Sequence, residues 1–189
     1  MAVEHSEIVR DSADYAEILA EVFVETVQRY TADAMHCDYC GEEITRSLME
    51  CLQYVYLHGA SPVREIACGL QVSVSAGSQL VDRLVKKGLV TRSENQADRR
   101  LTHVELTDSG RQIVEKMRES RSKWFESIMK NMPEEMRLAF LEGLEGFLKV
   151  SLADTENIDR ACVKCGMEHV SFCVINKLKS KRADIRPAQ

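Results

Sequence analysis

Residues 70–110 read LQVSVSAGSQLVDRLVKKGLVTRSENQADRRLTHVELTDSG, and the fold follows from how this stretch is punctuated. Ser73 stands at an N-cap position, where a short hydroxyl accepts an otherwise orphaned backbone N–H. It opens an amphipathic helix from Val74 to Lys87, which Gly88 stops. The runs LVTRS and LTHVEL, joined by the polar turn ENQADRR, have the alternation of a two-stranded hairpin. Thr107 then caps a long helix from Asp108 to about Met132.

Working outward, Ser61-Pro62 starts a short helix to about Cys68, with Pro62 at the first helical position, where its missing N–H costs nothing. Gly69 follows. Upstream, Ile44 to Leu57 carries Leu48, Met49, Leu52, Tyr54, Val55 and Leu57 at helical spacing, and His58-Gly59 ends it. The first helix runs from about Ser6 to Ala34 on Tyr15, Ile18, Leu19, Val22 and Val27, and HCDYCGEE (36–43) interrupts it. Downstream, Pro133 opens a helix from Glu134 to about Leu152. The tail, 154–189, contains ACVKCGMEHVSFC and ends in a frayed basic stretch, KLKSKR. The fold class is mainly α with a small β wing.

Composition narrows the function classes. With 44% hydrophobic and 29% charged residues the chain is globular rather than disordered. Aromatics at 6% argue against a base-stacking surface for single strands. No apolar run approaches the ~20 residues of a membrane span, and the opening MAVEHSEIVR is no signal peptide. The expected compartment is the cytoplasm. Seven cysteines, an odd number, then read as thiols or metal ligands rather than a disulfide framework. There is no phosphate loop, nucleophile elbow or metal-plus-carboxylate motif, so the chain is not expected to be an enzyme.

Two short helices around a turn, followed by a hairpin, make a winged helix–turn–helix. In Val74–Lys87 the residues Leu80, Val81, Leu84 and Val85 are expected to pack inward, leaving Ser75, Ser78, Gln79, Asp82, Arg83 and Lys86 outward. Side chains of that kind reach base edges and phosphates in a major groove. Arg99 and Arg100 at the hairpin turn can reach a minor groove. Residues 61–105 hold seven Lys+Arg against five Asp+Glu, a net of +2, while the whole chain is −5 and the remainder therefore −7. A helix pair of this kind is more often ordinary packing, and +2 alone does not decide for nucleic acid.

LVDRLVKKGLV, the ADRR of the wing and the LTDSG opening the next helix resemble, in order and spacing, the multiple-antibiotic-resistance regulator (MarR) family of bacterial winged-helix repressors. The resemblance covers about residues 6–153. It implies an obligate homodimer whose N-terminal and last two helices interlock, presenting one recognition helix to each half of a palindromic double-stranded operator. It implies DNA contacts from Ser73, Ser75, Ala76, Gln79, Arg83 and Lys86, with Arg99 and Arg100 in the wing and Asp98 supporting them. Ala76-Gly77 departs from the family pattern, and a mid-helix glycine costs about 1 kcal/mol relative to alanine.

CDYCG (37–41) and CVKCG (162–166) echo one another. A Cys-x-x-Cys-Gly turn aims two thiolates at one metal, with the glycine allowing a tight bend. Two such turns suggest a tetrahedral site of Cys37, Cys40, Cys162 and Cys165. A competing set lies in the tail alone, Cys162, Cys165, His169 and Cys173. Zn2+ is preferred slightly over an iron–sulfur cluster. The bland alternative is unmetallated thiols, and Cys51 and Cys68 read as small core residues.

The expected organisation is thus a dimerisation helix and first knuckle (1–43), a winged helix–turn–helix (44–107), dimerisation helices (108–153) and a metal-binding tail with a basic end (154–189). The expected function is a dimeric DNA-binding transcriptional repressor whose DNA affinity a metal or redox centre controls. One alternative is a small organic effector with a purely structural zinc. Another is a thiol–disulfide or electron-transfer protein, which predicts a βαβ pattern around Cys-x-x-Cys.

Overall fold

The computed structural model describes residues 2–35, 44–94, 102–152 and 173–183, and residues 158, 161 and 165 singly. The chain divides into two compact units, Met1–Glu43 and Ile44–Gln189. The first contains α1, Ala2–Met35, a 34-residue helix on which Tyr15, Ile18, Leu19 and Val22 are all exposed.

The second unit runs α2 (Arg46–His58), β1 (Ser61–Pro62), α3 (Val63–Leu70), α4 (Val74–Lys86), β2 (Val90–Glu94), β3 (Thr102–Leu106), α5 (Asp108–Asn131), α6 (Glu134–Ser151) and α7 (Val174–Ala183). The three strands form an antiparallel sheet of order β1-β3-β2. The hairpin register runs from Val90 opposite Leu106 to Glu94 opposite Thr102.

Ser61-Pro62 is therefore a strand and not a helix start, pairing with Val104 and His103. Proline supplies no ladder N–H, which suits an edge strand. Its backbone is extended (φ −68°, ψ 149°), so Pro62 is the N-cap of α3 rather than its first residue. The far end of α3 differs too. Gly69 lies inside the helix because the Tyr54 ring occupies the space a β-carbon would need. The turn falls to Gln71, in the left-handed region at φ 57°, with its N–H directed at the Ala67 and Cys68 carbonyls.

The core gathers Leu48, Leu52 and Val55 of α2, Ile66 and Ala67 of α3, Val81 and Leu84 of α4, Leu89, Val90 and Val104 of the wing, and Ile113, Val114 and Met117 of α5. Each large side chain so buried contributes about 1.5–3 kcal/mol. On α4 the inward line is Gly77, Val81 and Leu84, while Leu80 is only half-buried and Val85 is exposed, a correction to the inward face expected for it.

Two local signatures prove to be one joint. The Thr107 hydroxyl accepts the Gly110 N–H at 3.1 Å and donates to the Gly88 carbonyl at 2.8 Å. Gly88 itself turns at φ 68°. A β-carbon on Gly110 would fall on the Leu89 carbonyl. The end of α4 and the start of α5 thus meet backbone to backbone.

The basic end does not fray before Ala183. Lys177 of α7 reaches Glu145 of α6 at 3.5 Å, and Ile158 and Ile175 are buried. α6, by contrast, buries none of its own residues.

Candidate nucleic-acid interface

The interface is built on α4. The Ser73 hydroxyl accepts the Ala76 N–H at 3.1 Å, as its N-cap position requires. Gly77 is the contact point with α3: a β-carbon there would lie 2.8 Å from that of Ala67. The glycine that departs from the family pattern is thus what lets α3 and α4 cross at close range.

With Gly77, Val81 and Leu84 facing inward, Ser75, Gln79, Arg83 and Lys86 lie exposed at spacings of four, four and three. That spacing makes one stripe along a helix. Ser73 is exposed at its head and Ala76 is half-buried beside it. Ser78 and Asp82 form the adjoining row, and strand β2 reaches it. Arg92 Nη2 lies 2.9 Å from Asp82 Oδ1 and 3.5 Å from Ser78 Oγ. Arg99, Arg100 and Asp98 lie outside the described residues.

Sequence reading missed two participants on this face. Val74, first residue of α4, is exposed, and an apolar side chain there suits a thymine methyl group. Arg92 figured only as a charge. Its contact with Ser78 joins a strand to a helix across 14 residues of chain, so no local pattern announces it.

The cysteines divide. Cys51 is fully buried, and burial pushes its thiol up to about 12. Cys68 is exposed on α3, against the core position expected for it, because α3 turns Ile66 and Ala67 inward instead. Cys165 is exposed and Cys173 half-buried just before α7, whereas Cys37, Cys40, Cys162 and His169 lie outside the described residues. Among the described residues no group of three or more His, Cys, Asp or Glu is placed to hold a metal. Arg121 of α5 is the basic neighbour of Cys165. Burial lowers its pKa, the Cys165 charge opposes that shift and Arg118 adds to it.

Residues 44–102 match the MarR family model. The winged module of this chain is similar to the MarR family. YwhA of Bacillus subtilis, an uncharacterized HTH-type transcriptional regulator, is 30% identical over 90 residues, which are 48% of this chain and 65% of YwhA. The chain thus spans just under two thirds of that relative's length. Among solved structures, a MarR family protein from Bacillus stearothermophilus gives a TM-score of 0.63 at 19% identity, over 75% of this chain and 96% of that one. FabT of Streptococcus pneumoniae, solved in complex with DNA, gives 0.60 at 20% identity, over 71% and 93%. At such identities these two speak for the fold alone. The MarR family comprises transcription regulators, not enzymes. The described strands are all antiparallel, so they form no βαβ unit of the kind a thioredoxin-like reading needs. No described helix is long and apolar enough to cross a membrane.

Proposed function

We propose that this MarR-type chain is a dimeric, sequence-specific DNA-binding transcriptional repressor whose α4 reads a major groove. The observation that carries the reading is the stripe Ser75, Gln79, Arg83 and Lys86, held outward by a helix whose opposite side is fixed in the core. Gln and Arg are the residues whose planar groups pair with adenine and guanine edges, and Lys86 adds a phosphate contact. That FabT, a neighbour in fold, was solved in complex with DNA supports a DNA-binding reading of this fold.

The second copy is the partner proposed for the exposed apolar face of α6. Met136, Phe147 and Val150 of α6 are each more than 60% exposed, more apolar surface than a monomer leaves to water without use. Two copies place two α4 helices on one palindrome.

The test is selection from a random-sequence duplex library by the full chain. Enrichment of a palindromic sequence is expected, and failure to enrich any sequence overturns the reading. On the selected duplex, Arg83→Ala is expected to weaken binding by about 1–3 kcal/mol, and Arg99→Ala to weaken it while lowering the salt dependence.

The thiolate pairs Cys37/Cys40 and Cys162/Cys165, with Cys173 and His169 as alternates, are proposed to hold Zn2+ or an iron–sulfur cluster that tunes DNA affinity. Soft sulfur donors suit either. Anaerobic purification followed by iron, zinc and sulfide analysis tests it: absence of all three overturns it. Unchanged DNA affinity after chelation or oxidation reduces the centre to a staple.

A further inference from the structure

Asp82 is the only carboxylate in α4, and it stands next to Arg83 on the exposed side of the helix. An unpaired acid there repels phosphates, so its presence on a DNA-reading surface calls for a physical account. Arg92 of β2 gives one. Its Nη2 approaches Asp82 Oδ1 at 2.9 Å and the Ser78 hydroxyl, one turn earlier, at 3.5 Å. Ser78 and Asp82 share a row, so one guanidinium holds two consecutive turns of α4 to the first strand of the wing.

This pair does little for folding. Its side chains are 34% and 50% exposed, and ion pairs in that setting are worth at most about 1 kcal/mol. Its consequence is for the surface: the charge of Asp82 is neutralised, the Ser78 hydroxyl is engaged, and the wing strand is tied to the reading helix.

We propose that Arg92 is a positioning and specificity-determining residue for DNA binding, masking Asp82 and fixing the Ser78–Asp82 row of α4 against the wing. This rests on the DNA-binding reading above. Arg92 acts through α4; it is not assigned a base contact of its own.

The test is a double-mutant cycle, Arg92→Met, Asp82→Asn and the two combined, on the selected duplex and on a scrambled duplex of equal length. Arg92→Met alone is expected to weaken the selected duplex roughly tenfold and the scrambled one much less. In the Asp82→Asn background the same substitution is expected to cost less than about threefold, since no charge remains to unmask. Arg92→Lys keeps the charge but gives up the planar guanidinium whose Nη2 approaches both Asp82 and Ser78, and is expected to restore affinity while leaving the ratio of selected to scrambled binding reduced. Equal losses in both backgrounds, with the salt slope falling by about one, would make Arg92 a plain phosphate contact and overturn the proposal. Equal loss on both duplexes with a lowered melting temperature would make it merely structural and overturn it as well. If the wild-type chain selects no sequence, the DNA-binding reading itself fails, which is a separate and recognisable outcome.

Discussion

At the scale of single residues, Cys51 shows how burial turns a reactive group into packing. Its thiol is fully enclosed. Burial raises its pKa from 9.0 to about 12. The unfolded chain therefore releases this proton first, so stability is whole below pH 9 and falls as pH rises through 9 toward 12, by up to about 1.4 kcal/mol per unit. Cys51→Ala is expected to flatten that alkaline slope in urea titrations from about pH 8 to about pH 10.5, at the cost of a small cavity at neutral pH; an unchanged slope would mean that other groups set it. Cys68, exposed, is expected to react with a thiol reagent in the native protein while Cys51 does not. Thr107 is the second informative residue, since its hydroxyl serves both Gly110 and Gly88. Thr107→Ala is expected to cost about 1–2 kcal/mol, the upper range for a lost N-cap, read from the denaturation midpoint.

Elements explain what residues alone leave odd. Gly77 weakens α4 as an isolated helix, and Gly77→Ala would ordinarily gain about 1 kcal/mol. Here the added methyl meets the Ala67 β-carbon at 2.8 Å, and α3 and α4 must separate. Overpacking of that kind costs about 1–3 kcal/mol, so net destabilisation is expected, together with weaker DNA binding under the proposed role of α4 as that helix shifts. A stabilised Gly77→Ala protein would show that α3 yields freely. The helix spans and caps were legible because they rest on neighbours within four residues: Ser73 and Thr107 cap where the sequence places them. Ser61-Pro62 was not, because proline's φ fits a helix start and an edge strand equally. Only the presence of Val104 and His103 opposite selects the strand.

For the whole molecule, the apolar face of α6 is the quantity to explain. Among the described residues α6 buries none of its own side chains, and Phe147 and Val150 are 65% and 79% exposed. If the proposed dimer uses this face, Phe147→Glu with Val150→Glu is expected to raise its dissociation constant by roughly 30-fold or more, as loss of a central contact does, and to abolish high-affinity binding to the selected duplex. Sedimentation equilibrium across a concentration series measures it, and an unaltered dimer would place the interface elsewhere.

The sequence by itself determined the order of the six helices up to Ser151 and of the wing hairpin, the Ser73 and Thr107 caps, the outward stripe of α4 and the MarR resemblance, because each depends on spacing along one stretch of chain. Tertiary structure decided which cysteine is buried, why Gly77 is tolerated, that Ser61-Pro62 is a strand and that Arg92 answers Asp82. Those depend on what a distant segment brings opposite, and neither burial nor pairing across strands has a period that one stretch of sequence can display.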